Sequence, residues 1–223
     1  MQPDPEAVDP RAPKVPDRPR KGVRGWLYER IRRWWYEHPV AGTRWRKFMW
    51  KWRNPHCEVI FEGPVSIGPR CTLYMPLPAT LRVGPNVQFR RGCHLELNPF
   101  SELTIGEGTI MTYNVVIQTV RKITIGKRCL IGTGCVIVDG KHNFRGDELT
   151  INEQGLDFEP LTMGDDVLVN VKATVAADVG ERAVIAAHAV VTKPIPPWTL
   201  AGGLPAKPLA KLGTQKDMAS QHD

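Results

Sequence analysis

The chain has 223 residues, 42% of them hydrophobic and 24% charged, which suffices for one sizeable domain with a small appendage. It contains no run of about eighteen apolar residues, so no membrane-spanning helix is expected. The opening MQPDPEAVDPRAPK lacks the apolar stretch of a secretory signal, so the expected location is cytoplasmic.

The formal net charge of +7 conceals an asymmetry. Residues 1–53 hold fourteen Lys or Arg against six Asp or Glu, a net of +8, and the other 170 residues sum to −1. Six of the seven tryptophans also fall before residue 53. Residues 1–22, with six prolines and alternating charges, read as a disordered tail.

A basic helical arm follows over 23–56. In GWLYERIRRWWYEH, helical spacing places Leu27, Ile31, Trp34, Trp35 and His38 on one face. After the Pro39–Gly42 break, TRWRKFMWKWR gathers Trp45, Phe48, Met49 and Trp52, with Arg46, Lys47 and Lys51 elsewhere. Short helices rich in Trp and Arg suit peripheral contact with a membrane through residues 23–53. They equally suit a cap on whatever follows. Nucleic acid is the least supported reading, because no recognised binding module accompanies the charge.

From residue 57 a period of six takes over. Ile67 and Leu73 begin it; Val83, Phe89 and Leu95, then Ile105, Met111 and Ile117, then Ile125, Ile131 and Ile137 continue it. It resumes with Met163, Val169 and Val175, and again with Val179, Ile185 and Val191. Glycine follows many of these anchors, as at Gly68, Gly106, Gly126 and Gly164, and is expected to supply unusual backbone angles at corners. Small or β-branched residues recur four places after many anchors, and Cys71, Cys93, Cys129 and Cys135 share that slot, which marks them as packing residues.

A hexapeptide period is the signature of a coiled parallel β-helix with three flat sides per turn. The gaps between groups are ten, ten, eight, twenty-six and four residues. If each group is one turn, every irregularity falls at the same corner, where loops can assemble a site. The expected coil spans 57–195, with an excursion over 139–162 and a C-terminal tail over 196–223.

The segments MGDDVLVNVKATV and VGERAVIAAHAVVTKPIPPWTLAGGLPAK resemble the hexapeptide-repeat acyltransferases, in the branch of the xenobiotic, galactoside and maltose O-acetyltransferases. The resemblance covers roughly residues 57–210 and implies an all-β, left-handed parallel β-helix, assembled as a homotrimer with active sites between subunits. It implies a catalytic histidine sixteen residues after the glycine of a TIG repeat; Gly126 is followed at that distance by His142. Transfer of an acyl group from a thioester to an alcohol needs a general base, a task suited to imidazole once its second nitrogen is fixed by an acceptor. Asp139 or a backbone carbonyl would be that acceptor. His188, within AAHAVV, is expected to face outward from the coil.

The resemblance also implies acetyl-CoA or another acyl-CoA as cosubstrate. Val171, Ala187, Thr192, Lys193 and Lys207 match positions that contact it in the galactoside enzymes, and the two lysines suit its phosphates. Leu168-Val169-Asn170 stands where the family has Trp-Ile-Gly, and the Val175–Val179 corner is about two residues shorter than usual. Thr112 and Val120 replace the Asn and Asp of a galactoside acceptor site, leaving Tyr113, Asn114, Gln118 and Asp139 as candidates for contact with a sugar, glycan or glycolipid hydroxyl. No metal is expected: γ-type carbonic anhydrases share the prism but hold zinc with histidines five apart, and no such pair occurs among residues 38, 56, 94, 142, 188 and 222. The alternative function is a non-catalytic membrane-docking or scaffold trimer of the same fold.

Overall fold

The structure is a computed structural model and describes residues 42–146 and 148–213. The expected tail over 1–22 and the first arm helix lie outside the described residues. From Glu58 the described residues wind as a left-handed parallel coil with three faces per turn.

The first face is built from Glu58–Phe61, Thr80–Val83, Glu102–Ile105, Lys122–Ile125 and Leu161–Met163. The second stacks Ser66–Ile67, Gln88–Phe89, Ile110–Met111, Leu130–Ile131, Leu168–Val169, Val184–Ile185 and Thr199–Gly203. The third stacks Thr72–Tyr74, His94–Leu97, Val116–Thr119, Val136–Val138, Thr174–Val175 and Val190–Val191. Parallel register sets like on like, so Ile67, Phe89, Met111, Ile131, Val169 and Ile185 form one inward column. Every anchor named from the spacing is buried except Leu73, which is half-covered. Each such side chain contributes about 1.5–3 kcal/mol of transfer free energy, and the periodicity repeats that contribution at every turn.

Two corners share one backbone device. Between the first and second faces, Asn86, Gly108, Arg128, Asp166, Arg182 and Trp198 all adopt positive φ, between 54° and 69°. Between the second and third, Arg70, Gly92, Asn114, Gly134, Lys172 and His188 also adopt positive φ, between 55° and 79°. A left-handed conformation costs a non-glycine residue roughly 1–2 kcal/mol. The N–H groups offset it: those of Arg128, Asp166 and Arg182 donate to Glu107, Lys127 and Asp165 of the coil below, as those of Lys172 and His188 do to Thr133 and Val171.

The glycines after the anchors have a different role from the one expected. Gly68, Gly106, Gly126 and Gly164 have ordinary φ; what they supply is close approach. A Cβ on Gly106 would lie 2.6 Å from the carbonyl carbon of Gly126 in the next coil. Glycine here lets backbones stack, and the unusual angles fall two residues later.

The third corner varies in length from turn to turn, with positive φ at Phe100, and from it the chain leaves between Val138 and Leu161. At the C-terminal end, Thr199–Gly203 pairs in parallel with Val184–Ile185, and Ala206–Lys211 returns antiparallel against it. The coil therefore continues beyond residue 195, because Thr199 and Ala201 face inward and extend the core.

The helix Thr43–Arg53 covers the N-terminal end. Its inward face is not the one its apolar pattern suggests. Thr43 and Trp50 are buried, whereas Trp45, Phe48 and Trp52 are exposed. The physical reason lies in the first coil, whose outer backbone groups have no preceding coil to bond. Thr43 Oγ1 accepts from Ile67 N at 3.1 Å, and Arg46 Nε donates to Gly68 O at 3.0 Å. Lys47 Nζ donates to Gly63 O at 3.4 Å. Only Trp50 enters the core, its ring meeting Phe89 edge-on at 5.6 Å and Phe61 at 6.4 Å.

Candidate active site

The excursion begins where Val138 ends the third face. Gly140–His142 pairs antiparallel with Leu156–Phe158, so that Lys141 faces Asp157 and His142 faces Leu156. An exposed ion pair, Lys141 Nζ to Asp157 Oδ2 at 3.1 Å, joins the two strands. Gly140 is required at the root: a Cβ there would meet Val120 Cβ at 2.9 Å, so Val120 packs under the hairpin. Farther out, Gln154 ties the loop together, accepting from Gly146 N and donating to Leu149 O, both at 2.9 Å. Thr150 donates twice to Glu153, and these bonds hold the Glu153 carboxyl below its ordinary range.

His142 is exposed on this hairpin, and among the described residues its ring makes no hydrogen bond or ion pair. Around it the loop turns Phe144, Leu149, Ile151 and Phe158 to the outside. A cleft of about 90 Å³ lies at the root, between Val138–Lys141 and Asp157–Glu159, with Ala176 on its far wall.

Asp139 is neither the partner of His142 nor open to a substrate. Its carboxylate is turned inward, 5% exposed, and accepts from the N–H groups of Val120, Arg121 and Lys122 at 2.5, 2.9 and 2.6 Å. It fastens the turn of the coil below. Asp165 and Asp178 do similar work, accepting from Lys127 N at 2.8 Å and Thr162 N at 2.7 Å. The sequence signal for this role is an aspartate shortly after an inward anchor, which reads easily as site chemistry when a histidine follows.

The remaining candidates divide between corners. Tyr113 and Asn114 lie at the corner between the second and third faces, two coils below Val171 and three below Ala187. His142 leaves from the corner between the third and first faces. Within one chain, therefore, the histidine and these two acceptor candidates are on opposite edges of the third face. Gln118 lies on that face directly under Val138, with its Nε2 donating to Glu96 Oε2 at 3.0 Å. Val171 and Ala187 are exposed in neighbouring coils, and the N–H of His188, which is itself exposed, bonds Val171 O. Thr192 and Lys193 follow the last strand of the third face, and Lys207 is exposed on the returning strand beside it.

Sequence reasoning missed an outer ladder at the first corner. Arg128 grips Asp166 at 2.8 and 2.9 Å, and the Arg182 guanidinium sits 4.7 Å from the Trp198 ring centre. The Arg128 hydrogen bond holds the Asp166 carboxyl below the usual carboxylate range. A larger groove, about 1020 Å³, opens between the N-terminal helix and the third face near Tyr74, His94 and Glu96; none of the candidate site residues lines it.

No family model matches the chain. It is 31% identical over 166 residues to a probable acetyltransferase of Mycobacterium tuberculosis, an alignment that takes in 73% of this chain and 54% of that protein. Galactoside O-acetyltransferase of Escherichia coli is 26% identical over 180 residues, 78% of this chain and 80% of the enzyme. An N-acyltransferase of Bacillus cereus, in complex with dTDP and 3-hydroxybutyryl-CoA, superposes with a TM-score of 0.59 over 77% of this chain and 92% of that one, at 14% identity. The chain has the fold of the hexapeptide-repeat acyltransferases and is similar to them in sequence. It spans about half the length of the mycobacterial relative. As in the hexapeptide-repeat pattern, the anchors face inward; the departures Leu168 and Asn170 flank the anchor Val169, and Asn170 is half-buried with its Nδ2 donating to Ile185 O at 3.0 Å.

Proposed function

We propose that the chain is an acyl-CoA-dependent O-acyltransferase, acetyl being the acyl group, that acts on a hydroxyl of a sugar, glycan or glycolipid precursor. The observation that carries this reading is the hairpin from the irregular corner, which holds out an imidazole without a partner among the described residues. The named acetyltransferases among the relatives, and the CoA thioester bound to the structural neighbour, supply the reaction class.

In this reading His142 takes the proton of the acceptor hydroxyl as its oxygen attacks the thioester carbonyl. The tetrahedral adduct collapses, the C–S bond breaks, and the CoA thiolate recovers the proton from the imidazolium. Atoms and charge balance without a covalent enzyme intermediate. Val171, Ala187 and Thr192 border the cosubstrate's path along the C-terminal coils, and Lys193 and Lys207 face its phosphates. The exposed apolar loop around His142 packs on a neighbouring copy in a homotrimer, which brings Tyr113 and Asn114 of one chain toward the histidine of another.

The test is release of CoA thiol from acetyl-CoA with sugars, nucleotide sugars and lipid-linked sugars as acceptors, for wild type and His142→Ala. Acceptor-dependent release that falls by about 10²-fold or more in the variant is expected. Release that survives moves the base elsewhere. Absence of release together with absence of acetyl-CoA binding favours a non-catalytic scaffold of the same fold.

A further inference from the structure

We propose that the outer face of the helix Thr43–Arg53 is a docking surface for an anionic lipid bilayer. This stands apart from the acyl-transfer reading and rests on how the helix is seated. At about 100° per residue, Trp45, Phe48 and Trp52 fall on the side opposite Trp50. Trp50 is locked into the end of the coil, so these three rings are held outward, at 63%, 53% and 65% exposure. Trp45 and Phe48 already touch, with ring centres 5.6 Å apart, so the stripe is assembled before any partner arrives.

The charges are placed to match. On the helical wheel Arg44 and Lys51 flank the stripe on one side and Arg53 on the other, and all three are exposed. From Pro39 to Cys57 the sequence has no Asp or Glu, and among the described residues none of the three forms an ion pair, the Lys51 ammonium lying 5.7 Å from the Phe61 ring. Rings at the centre with cations at the rim fit a membrane interface, where indoles settle at headgroup depth and cations stay among anionic headgroups. A single-stranded nucleic acid would ask instead for cations along the track of its backbone. Among the described residues no helix is long and apolar enough to cross a membrane, so the contact is one of lying on the surface. The polar contacts of Thr43 and Arg46 with the first coil fix the orientation, and docking requires no unfolding.

The experiment is cosedimentation of the full chain with vesicles of phosphatidylcholine alone or mixed with phosphatidylglycerol. Three proteins are compared: wild type, the triple variant Trp45→Ser, Phe48→Ser, Trp52→Ser, and the triple variant Arg44→Gln, Lys51→Gln, Arg53→Gln. Wild type is expected to partition onto the anionic vesicles. The aromatic variant should lose about tenfold or more of that partition and all of what persists in high salt, and the charge variant should lose the anionic preference. Unchanged melting temperatures would show that the cap is intact in both. The proposal fails if the aromatic variant binds like wild type, which would move the contact to another part of the chain. It also fails if wild type binds oligonucleotides but not vesicles, or binds neither.

Discussion

The carboxylate of Asp139 closes on the backbone of Lys122, one Oδ2 accepting its N–H at 2.6 Å across a single coil. Two further N–H groups converge on the same side chain. Asp139→Ala leaves three donors without their acceptor beneath the hairpin, and a loss of about 3 kcal/mol is expected. Asp139→Asn, which keeps one oxygen, should fall between. Thermal denaturation checks this; a variant that melts with wild type would show that the turn does not depend on the carboxylate.

Glycine substitutions should separate the two roles found at the corners. Gly106→Ala drives a methyl into the backbone of Gly126 and should destabilise by about 3 kcal/mol, because neither coil can retreat alone. Gly108→Asn places a side chain at positive φ with no neighbour closer than 3.6 Å to its Cβ, at a position where Asn86 of the same column already adopts that conformation. It should cost less than about 1 kcal/mol. Equal losses in urea titrations would erase the distinction.

Removing the core ring of the cap should loosen the N-terminal end. Trp50→Ala is expected to cost about 3–5 kcal/mol and to speed cleavage between the helix and the first strand. Limited proteolysis followed by mass analysis reads this directly. A cleavage pattern identical to wild type would mean that Thr43 and Arg46 hold the helix unaided.

Among the thiols, Cys71 should be the one that reacts at low pH. A hydrogen bond from Cys93 stabilises its thiolate and draws its pKa down, whereas Cys93, facing that thiolate, is pushed up. Burial pushes Cys129 and Cys135 up as well. A lowered thiol pKa means that alkylation persists below the ordinary thiol range as pH falls. Cys93→Ala removes the donor, so the midpoint of the rate profile for Cys71 should move to higher pH. An unmoved midpoint, followed by iodoacetamide labelling and peptide mapping, would refute the coupling.

The three-sided coil was legible because a spacing of six maps one anchor to each face, and parallel stacking then aligns like with like. The excursion carrying His142 was legible for the same reason, as the longest break at that corner, but its antiparallel pairing as a hairpin was not. Other features left no such trace. Trp45, Phe48 and Trp52 carry the strongest apolar pattern of their helix, yet Thr43 and Trp50 face the coil, because its end calls for hydrogen-bonding groups more than for hydrophobic area. The positive-φ positions fall on Arg, Asp, Lys, His and Trp as well as on Asn and Gly, and residue type does not mark them. Asp139 was drawn toward the site by its place near His142, when its partners are backbone groups seventeen to nineteen residues earlier.

The regular corners hold the coil in lockstep through their stacked N–H donors, whereas at the third that device recurs, among the described residues, at Phe100, whose N–H donates to Pro78 O. Insertions and deletions can accumulate there without disturbing the register of a single strand, as the loops of different length at that corner already show. Elsewhere the smallest change in length the architecture tolerates is a whole coil, about eighteen residues. Lineages of such a protein would thus diverge in reach and specificity by editing one seam, while the coil itself changes only by whole turns.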